Sequence, residues 1–169
     1  MKILSIDPGF EKVGWAIFEV PDHPELDSGP RTRDFKFITS DLIKTSKKLP
    51  QEERLRIIFN ELNKVIKKYK VEHLVIEKLF FFKNKKTVLE VSQAVGVIEL
   101  CAALNNIEIT RLTPLEIKQI ITGYGQADKI AVQKMIKLEL GDEIKFKDDD
   151  ESDAVACGLA YIFTSSELV

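Results

Sequence analysis

Residues 2–20, KILSIDPGFEKVGWAIFEV, decide the fold. The apolar run of residues 2–6 stops at Asp7-Pro8-Gly9, and these three residue types in succession are typical of a turn. Residues 13–20 form a second apolar run of strand length. Together the two runs predict a β-hairpin in which Asp7 ends the first strand.

The rest of the chain alternates strands and helices. Pro50 suits the first position of a helix, and Thr113-Pro114-Leu115-Glu116 is a capping-box start of another. Further strands are predicted at residues 35–39, 71–76 and 107–112, and helices from about residue 50, at 86–104, from 113, at 128–140 and from about 149 to 163. This order predicts an α/β fold, a mixed five-stranded sheet flanked by helices on both faces, in a single domain of residues 1–169.

Composition limits the classes of protein that the chain can belong to. Of its 169 residues 44% are hydrophobic and 31% charged, as in globular proteins, and no apolar run approaches the ~20 residues that cross a bilayer. Cys101 and Cys157 lie in apolar stretches, which indicates free thiols in a reducing compartment, by default the cytoplasm. With 25 basic and 27 acidic residues the chain is not a general polycation, so DNA binding would depend on local lysine clusters.

Acidic residues follow two strands and open the last helix. Asp7 and Glu77 each end a predicted strand, and in open α/β sheets ligands bind outside the carboxyl ends of the strands. Residues 148–153 read DDDESD, and Asp150 and Asp153 share one helix face. Such carboxylates repel one another unless a cation neutralises them, and oxygen ligands suit Mg²⁺ or Mn²⁺. Two such ions can activate a water and stabilise the leaving oxygen of a phosphodiester.

The same acids have a simpler interpretation. An acid directly after a strand is usually a turn or cap residue, and a run of aspartates matches the dipole of a helix N-terminus. The pattern of acids alone leaves both interpretations open.

An ordered set of motifs covers nearly the whole chain. The set consists of Ile6-Asp7-Pro8-Gly9, Gly14-Trp15-Ala16-Ile17, Leu49-Pro50 with Arg54-Leu55, Ile76-Glu77 with Phe80 and Lys83-Asn84, Ser92-Gln93-Ala94-Val95-Gly96, Lys118-Gln119, residues 123–129, and Asp150-Glu151-Ser152-Asp153-Ala154-Val155-Ala156. In this order and spacing it resembles the RuvC family of Holliday junction resolvases. The resemblance implies a ribonuclease-H-like fold and a homodimer that resolves four-way DNA junctions by symmetric paired nicks in recombination and repair. It also implies two Mg²⁺ ions per active site, for which Mn²⁺ can substitute, and suggests a branch-migration helicase complex as a partner.

The resemblance assigns the metal-binding acids and the basic residues beside the scissile phosphate. The acids are Asp7, Glu77, Asp150 and Asp153, and the basic residues are Lys118, as a catalytic residue, and Lys129, as a DNA contact. A lysine near a metal-bound phosphate can stabilise the charge that develops there. Without the resemblance, both lysines would be taken as ordinary exposed helix residues.

Phe80 matches an aromatic residue that family members place at the core of the junction. Three consecutive phenylalanines cannot all face inward, so at least one of residues 80–82 is expected to be exposed and to stack on unpaired bases. Lys83, Lys85 and Lys86 are then expected to contact phosphates. Core packing of Phe80 and a solvated lysine loop are the alternatives.

The chain also departs from the family pattern. Phe10-Glu11 stand where the family has a small polar residue followed by a basic one, which removes a contact to the DNA backbone. Val95 replaces a common arginine, and the loop of residues 21–34 is longer than expected.

Three other functions are consistent with parts of the pattern. Actin-like ATPases and sugar kinases open with a similar hairpin, but 169 residues cannot supply their second domain. A related nuclease acting on RNA or RNA–DNA hybrids also fits the fold. A non-catalytic junction-binding module is the third alternative, and the presence of all four acids argues against it.

Two finer expectations concern helix faces. The helix at 86–104 is apolar nearly all round, so both sides are expected to be buried. The side predicted to meet a second copy is Val88, Val91, Val95, Ile98 and Ala102, and the side predicted to meet the sheet is Leu89, Val97, Leu100, Cys101 and Leu104. In the acid run, Asp149 is expected near the N-cap of the last helix, and Asp148 is expected to be dispensable.

Overall fold

One sheet organises the described part of the chain. The computed structural model describes residues 1–21, 35–79 and 85–165, apart from the side chains of residues 85–87 and 165. The strands are β1 (Lys2–Asp7), β2 (Lys12–Glu19), β3 (Lys36–Lys44), β4 (His73–Glu77) and β5 (Glu108–Leu112). The helices are α1 (Gln51–Tyr69), α2 (Lys85–Leu104), α3 (Pro114–Thr122), α4 (Lys129–Leu140) and α5 (Asp149–Ser165).

The sheet combines antiparallel and parallel strands in the order β3-β2-β1-β4-β5. The predicted hairpin pairs β1 with β2 from Lys2↔Glu19 to Asp7↔Gly14, and β3 continues antiparallel to β2. β4 and β5 join in parallel, after the crossovers through α1 and α2. The carboxyl ends of β1, β4 and β5 therefore lie at one edge of the sheet.

Helices cover both faces of the sheet. Because successive side chains of a strand point to opposite faces, Leu4 and Ile6 enter one core while Ile3 enters the other. The first core, beneath α1 and α2, contains Leu4, Ile6, Ile58, Leu62, Leu74 and Ile98. The second core, beneath α3, α4 and α5, contains Ile3, Phe18, Val75, Ile117, Ile136 and Leu159. The predicted α/β fold with a mixed five-stranded sheet is confirmed.

Two predicted boundaries are wrong. β3 extends to Lys44 rather than residue 39, because it pairs with β2 over the whole length of that strand, up to Lys12↔Lys44. Pro50 is the N-cap of α1 and not its first helical residue, since its ψ of 153° is extended. Its carbonyl accepts the first helical hydrogen bond, from the Arg54 N–H at 3.1 Å.

The two sides predicted for α2 are largely exchanged. Ile98 and Ala102, which were expected to meet a second copy, are fully buried in the first core. Leu89, Leu100 and Leu104, which were expected to meet the sheet, are 67%, 54% and 64% exposed. The physical reason is that α2 packs on α1 as well as on the sheet, and this contact buries Ile98, Cys101 and Ala102 together. We call Leu89, Leu100 and Leu104 the α2 stripe.

None of the helices in the described residues is long and apolar enough to cross a membrane.

Candidate active site

Two carboxylates end neighbouring parallel strands. β1 and β4 are paired up to Ile6↔Ile76, so the next residues, Asp7 and Glu77, stand side by side at the carboxyl edge of the sheet. Ile6 and Ile76 are buried in the first core and fix the ends of both strands. The fold thus delivers the first two predicted acids to the edge where α/β sheets bind their ligands.

The first turn of α5 brings two more acids to this edge. Asp150 and Asp153 are three residues apart in the helix and share one face. α5 lies directly on the sheet, where the Ser5 hydroxyl donates a hydrogen bond to the Ala154 carbonyl at 2.7 Å. Gly14 permits this approach, because a Cβ at that position would lie 1.9 Å from the Asp150 carbonyl oxygen.

The four carboxylates act on one another. Burial, followed by the charges of Glu77, Asp153 and Asp150, raises the pKa of Asp7 to about 8. Burial and then the charge of Asp153 raise the pKa of Glu77 to about 7. The pKa values of Asp150 and Asp153 are also raised, chiefly by burial. These mutual effects place the four groups in one electrostatic neighbourhood, which we call the acid quartet.

Two lysines lie against the acid quartet. Lys129 is the first residue of α4, and its Nζ lies 3.1 Å from Asp153 Oδ2 and 3.2 Å from Asp149 Oδ2. Lys118 of α3 lines a pocket of about 170 Å³ together with Glu77, Lys129 and Asp153. The charges of both lysines oppose the effect of burial on the pKa of Glu77. The structure therefore brings all the predicted acids and both of these lysines together.

Helix caps fix the positions of the two lysines. The predicted capping box is present at α3: the Glu116 N–H donates to Thr113 Oγ1 at 3.2 Å, and the Thr113 N–H donates to Glu116 Oε2 at 2.7 Å. At α4 the Ala131 N–H donates to Asp128 Oδ1 at 2.8 Å. Both helices therefore begin at defined residues close to the pocket.

The donor set of the quartet suits a hard divalent cation. Within the described residues, no three acidic, histidine or cysteine side chains are arranged to hold one ion as they stand. The quartet nevertheless offers carboxylate oxygens alone, the ligands preferred by Mg²⁺ and Mn²⁺. Its raised pKa values show carboxylates that destabilise one another when ionised, and a bound cation would remove that repulsion. The residues present therefore fit such an ion.

Comparison with known proteins identifies the family. A family model described as crossover junction endodeoxyribonuclease RuvC matches residues 3–161. The chain belongs to the RuvC family. A relative called crossover junction endodeoxyribonuclease RuvC, from Fusobacterium nucleatum, is 41% identical over 162 residues, which cover 96% of this chain and 80% of the relative. Another of that name, from Caldicellulosiruptor saccharolyticus, is 40% identical and covers 100% of this chain and 96% of the relative.

A solved structure shares the fold. The structure of Thermus thermophilus RuvC in complex with Holliday junction substrate superposes with a TM-score of 0.87 at 23% identity, over 99% of this chain and 96% of that chain. The likeness confirms the ribonuclease-H-like RuvC fold expected from the sequence.

Four of the expected DNA contacts remain predictions. Phe80 and Lys83 lie outside the described residues. Lys85 and Lys86 belong to the first turn of α2, and their side chains also lie outside the part of the chain that the structure describes.

The predicted cap of α5 is wrong by one residue. Asp148, not Asp149, accepts hydrogen bonds from backbone N–H groups, those of Asp150 and Asp149, and it also accepts one from the Lys12 ammonium. Asp149 is already helical and faces Lys129. The boundary shifts because the side chain of Asp148 is the one tied down, by Lys12 of β2. Asp148 is therefore paired within the fold, and its expected dispensability as a partner of Asp153 at the metal site remains a prediction.

Sequence reasoning missed two residues that position the quartet. Gly14 allows α5 to approach the sheet, and a glycine inside an apolar strand was the available signal. Glu151 is buried, and its carboxylate accepts hydrogen bonds from the Ser40 hydroxyl at 2.7 Å and the Lys147 N–H at 2.6 Å. No signal distinguished Glu151 from its acidic neighbours, because its partners come from β3 and the loop before α5.

Proposed function

We propose that this chain is a structure-selective, Mg²⁺-dependent endodeoxyribonuclease that resolves four-way DNA junctions by paired nicks. The observation that carries the proposal is the convergence of Asp7, Glu77, Asp150 and Asp153 at the carboxyl edge of the sheet, in a chain of the RuvC family. Relatives 40–41% identical are called crossover junction endodeoxyribonucleases.

The acid quartet would hold two Mg²⁺ or Mn²⁺ ions. When bound, these ions supply Lewis-acid polarisation of the phosphodiester and make a water more acidic. The contribution of the protein is rigidity, because Asp7 and Glu77 end buried strands and Asp150 and Asp153 lie on a docked helix. Their carboxylates would therefore be in position before DNA arrives, without a cost in side-chain ordering.

Lys118 and Lys129 are proposed to bind the non-bridging oxygens of the scissile phosphate. Both line the pocket next to Glu77 and Asp153. Lys129 is held by two carboxylates in the free protein, and these two contacts fix the position of its ammonium beside the pocket. A fixed positive charge at this place stabilises the negative charge that develops on the phosphate during hydrolysis.

The junction reaction calls for two equivalent sites, and the α2 stripe supports a homodimer. Its leucines are more than half exposed along one side of a helix whose other side is in the first core. An exposed apolar stripe of this kind is typical of an interface, and a two-fold axis would pair it with itself.

A helicase complex as a further partner rests on the family resemblance alone. The two buried free thiols support the cytoplasm as the compartment of this protein.

Changing the α2 stripe should abolish the dimer. We expect Leu100→Glu to give a monomer at micromolar concentration in analytical ultracentrifugation, because two charges would be buried at the symmetric contact. The matched control is Leu138→Glu on α4, where the leucine is 67% exposed and lies outside the stripe. A wild-type monomer, or dimers of both variants, would contradict the assignment.

The direct test of the function is a cleavage assay with three substrates. The wild-type protein with Mg²⁺ should nick a four-way DNA junction at paired positions and leave linear duplex DNA and an RNA–DNA hybrid intact. Preferential cleavage of the hybrid would instead identify the chain as a nuclease of RNA–DNA hybrids. Junction binding without cleavage under these conditions would identify it as a non-catalytic module.

A further inference from the structure

A groove of about 600 Å³ extends from the acid quartet on the side of Asp150. Among the described residues it shares no lining residue with the pocket of Lys118 and Lys129. Its walls include the turn after β1, the loop before α1, and the N-terminal halves of α1 and α2. Three cationic residues line it, Lys12, Lys47 and Arg54. We call it the Lys47 groove.

Two of these cationic side chains make contacts that hold parts of the fold together. The Lys12 ammonium is bound to the Asp148 carboxylate. The buried Arg54 guanidinium lies 3.8 Å from the centre of the Phe10 ring and donates to Thr45 Oγ1 at 3.0 Å. Phe10 thus serves as the stacking surface for a structural arginine.

Lys47 is held differently. Its Nζ lies 2.9 Å from the Glu11 carboxylate, and the two side chains are 74% and 50% exposed. The hydrogen bond from Lys47 also lowers the pKa of Glu11, which keeps that group ionised. An ion pair this exposed to water is weak and exchanges readily with other ions. Lys47 is therefore available to an anion that outcompetes Glu11.

We propose that the Lys47 groove binds the sugar–phosphate backbone of DNA beyond the phosphate that the acid quartet cleaves, and that Glu11 masks Lys47 until a DNA phosphate displaces it. The inference rests on the proposed function, since a strand cleaved at the quartet must continue past it. Asp150 belongs to both the groove and the quartet, and the groove lining includes a displaceable cation, Lys47.

The mask has a defined consequence for affinity. Transfer of Lys47 from Glu11 to a phosphate leaves the Glu11 carboxylate unpaired beside DNA, where its charge repels the backbone. Binding should therefore be weaker than with an unmasked lysine, by the ~2- to 5-fold that an exposed ion pair is worth. Each lysine–phosphate contact should also add about 0.9 to the slope of log Kd against log salt concentration.

The test is a double-mutant cycle on junction binding. Wild type, Glu11→Gln, Lys47→Gln and the double variant would be titrated with four-way junction DNA in EDTA at several salt concentrations, so that binding is measured without cleavage. The charge controls are Lys48→Gln and Glu52→Gln; both residues are exposed and line neither cavity. Melting curves and sedimentation check that folding and oligomeric state are unchanged.

We expect Glu11→Gln to tighten binding about two- to five-fold for each groove that meets DNA. Lys47→Gln should weaken binding and lower the salt slope by about 0.9 for each groove that meets DNA, while Lys48→Gln has a smaller effect. In the Lys47→Gln background, Glu11→Gln should lose its effect.

Three results would overturn the inference. The first is an equal increase in junction affinity on Glu11→Gln in the wild-type and Lys47→Gln backgrounds, which would show a general charge effect. The second is an equal response to Lys47→Gln and Lys48→Gln. The third is a change in sedimentation rather than in affinity, which would show that the groove meets a second copy of the chain. Junction cleavage by the wild type with Mg²⁺ tests the proposed function separately, so the inference can fail while that function stands.

Discussion

The acid run of residues 148–153 contains two kinds of carboxylate. The hydrogen bond from Lys12 lowers the pKa of Asp148, whose carboxylate also accepts backbone N–H groups at the start of α5. The charge of Asp150, two residues later, raises the pKa of Asp7, and burial followed by the charge of Asp148 raises the pKa of Asp150 itself. The pKa values of these two acids at the start of α5 therefore shift in opposite directions. Asp148 is paired with a cation of the fold, whereas Asp150 lies partly buried among other carboxylates. The comparison separates acids that stabilise the protein from acids that strain it.

The largest effect is expected when the quartet loses a strand-end acid. Glu77→Gln should lower the rate of junction cleavage by about a thousand-fold, since metal ions contribute several kcal/mol to such reactions. Junction affinity should change little, because phosphate contacts lie on other residues. The measurement is single-turnover cleavage beside a binding titration. Cleavage at the wild-type rate would show that Glu77 belongs with the structural acids.

A smaller effect is expected when the quartet keeps its acids but loses its geometry. Gly14→Ala places a Cβ where the Asp150 carbonyl oxygen now lies, so the start of α5 must move outward. We expect cleavage to fall by about ten- to a hundred-fold, the cost of misplacing reacting groups by about 1 Å. The melting temperature should fall as well. A matched control is Gly96→Ala on α2, because a Cβ there meets nothing within 4 Å. Unchanged cleavage in Gly14→Ala would mean that α5 need not lie so close.

The smallest effect concerns stability without metal. The pKa of Asp7 is about 8 in the folded protein against an ordinary value of 3.8. Between pH 3.8 and about pH 8, Asp7 is therefore protonated in the folded state and ionised in the unfolded state. Stability should therefore fall as pH rises from about 4 to 8. Asp7→Asn should flatten this decline and raise the melting temperature of the metal-free protein at pH 8 by a few degrees. Mg²⁺ should stabilise the wild type more than the variant.

Thermal melts in EDTA at pH 5 and pH 8 measure this effect. The melting temperatures of the wild type and Asp7→Asn should differ less at pH 5, where Asp7 is protonated in the folded protein. A wild type that becomes more stable toward pH 8, relative to Asp7→Asn, would show that Asp7 is a paired acid like Asp148.

The strands and the strand-end acids were predictable because each depends on local pattern. Apolar runs that stop at Asp7 and Glu77 predict both the sheet and the edge where its acids meet. The sides of α2 were not predictable in this way, because apolar residues surround the helix and only its packing on α1 decides which side is inward. The cap of α5 was missed by one residue because three consecutive aspartates are locally equivalent, and Lys12 of β2 selects Asp148.

The roles of Gly14 and Glu151 depend on contacts between distant segments. Gly14 matters because α5, more than a hundred residues later, lies against it. Glu151 matters because Ser40 of β3 and the Lys147 N–H bind its carboxylate. Spacing along the chain does not encode either contact, so these residues required the structure.

The most direct test of the account is cleavage of a four-way junction by Asp150→Asn and Asp148→Asn, measured under single-turnover conditions over a series of Mg²⁺ concentrations. We predict that Asp150→Asn loses most activity and needs more Mg²⁺ for what remains. Asp148→Asn should keep a rate near that of the wild type, because asparagine also caps a helix. The opposite result, with Asp148→Asn inactive and Asp150→Asn active, would contradict the division between structural and metal-binding acids.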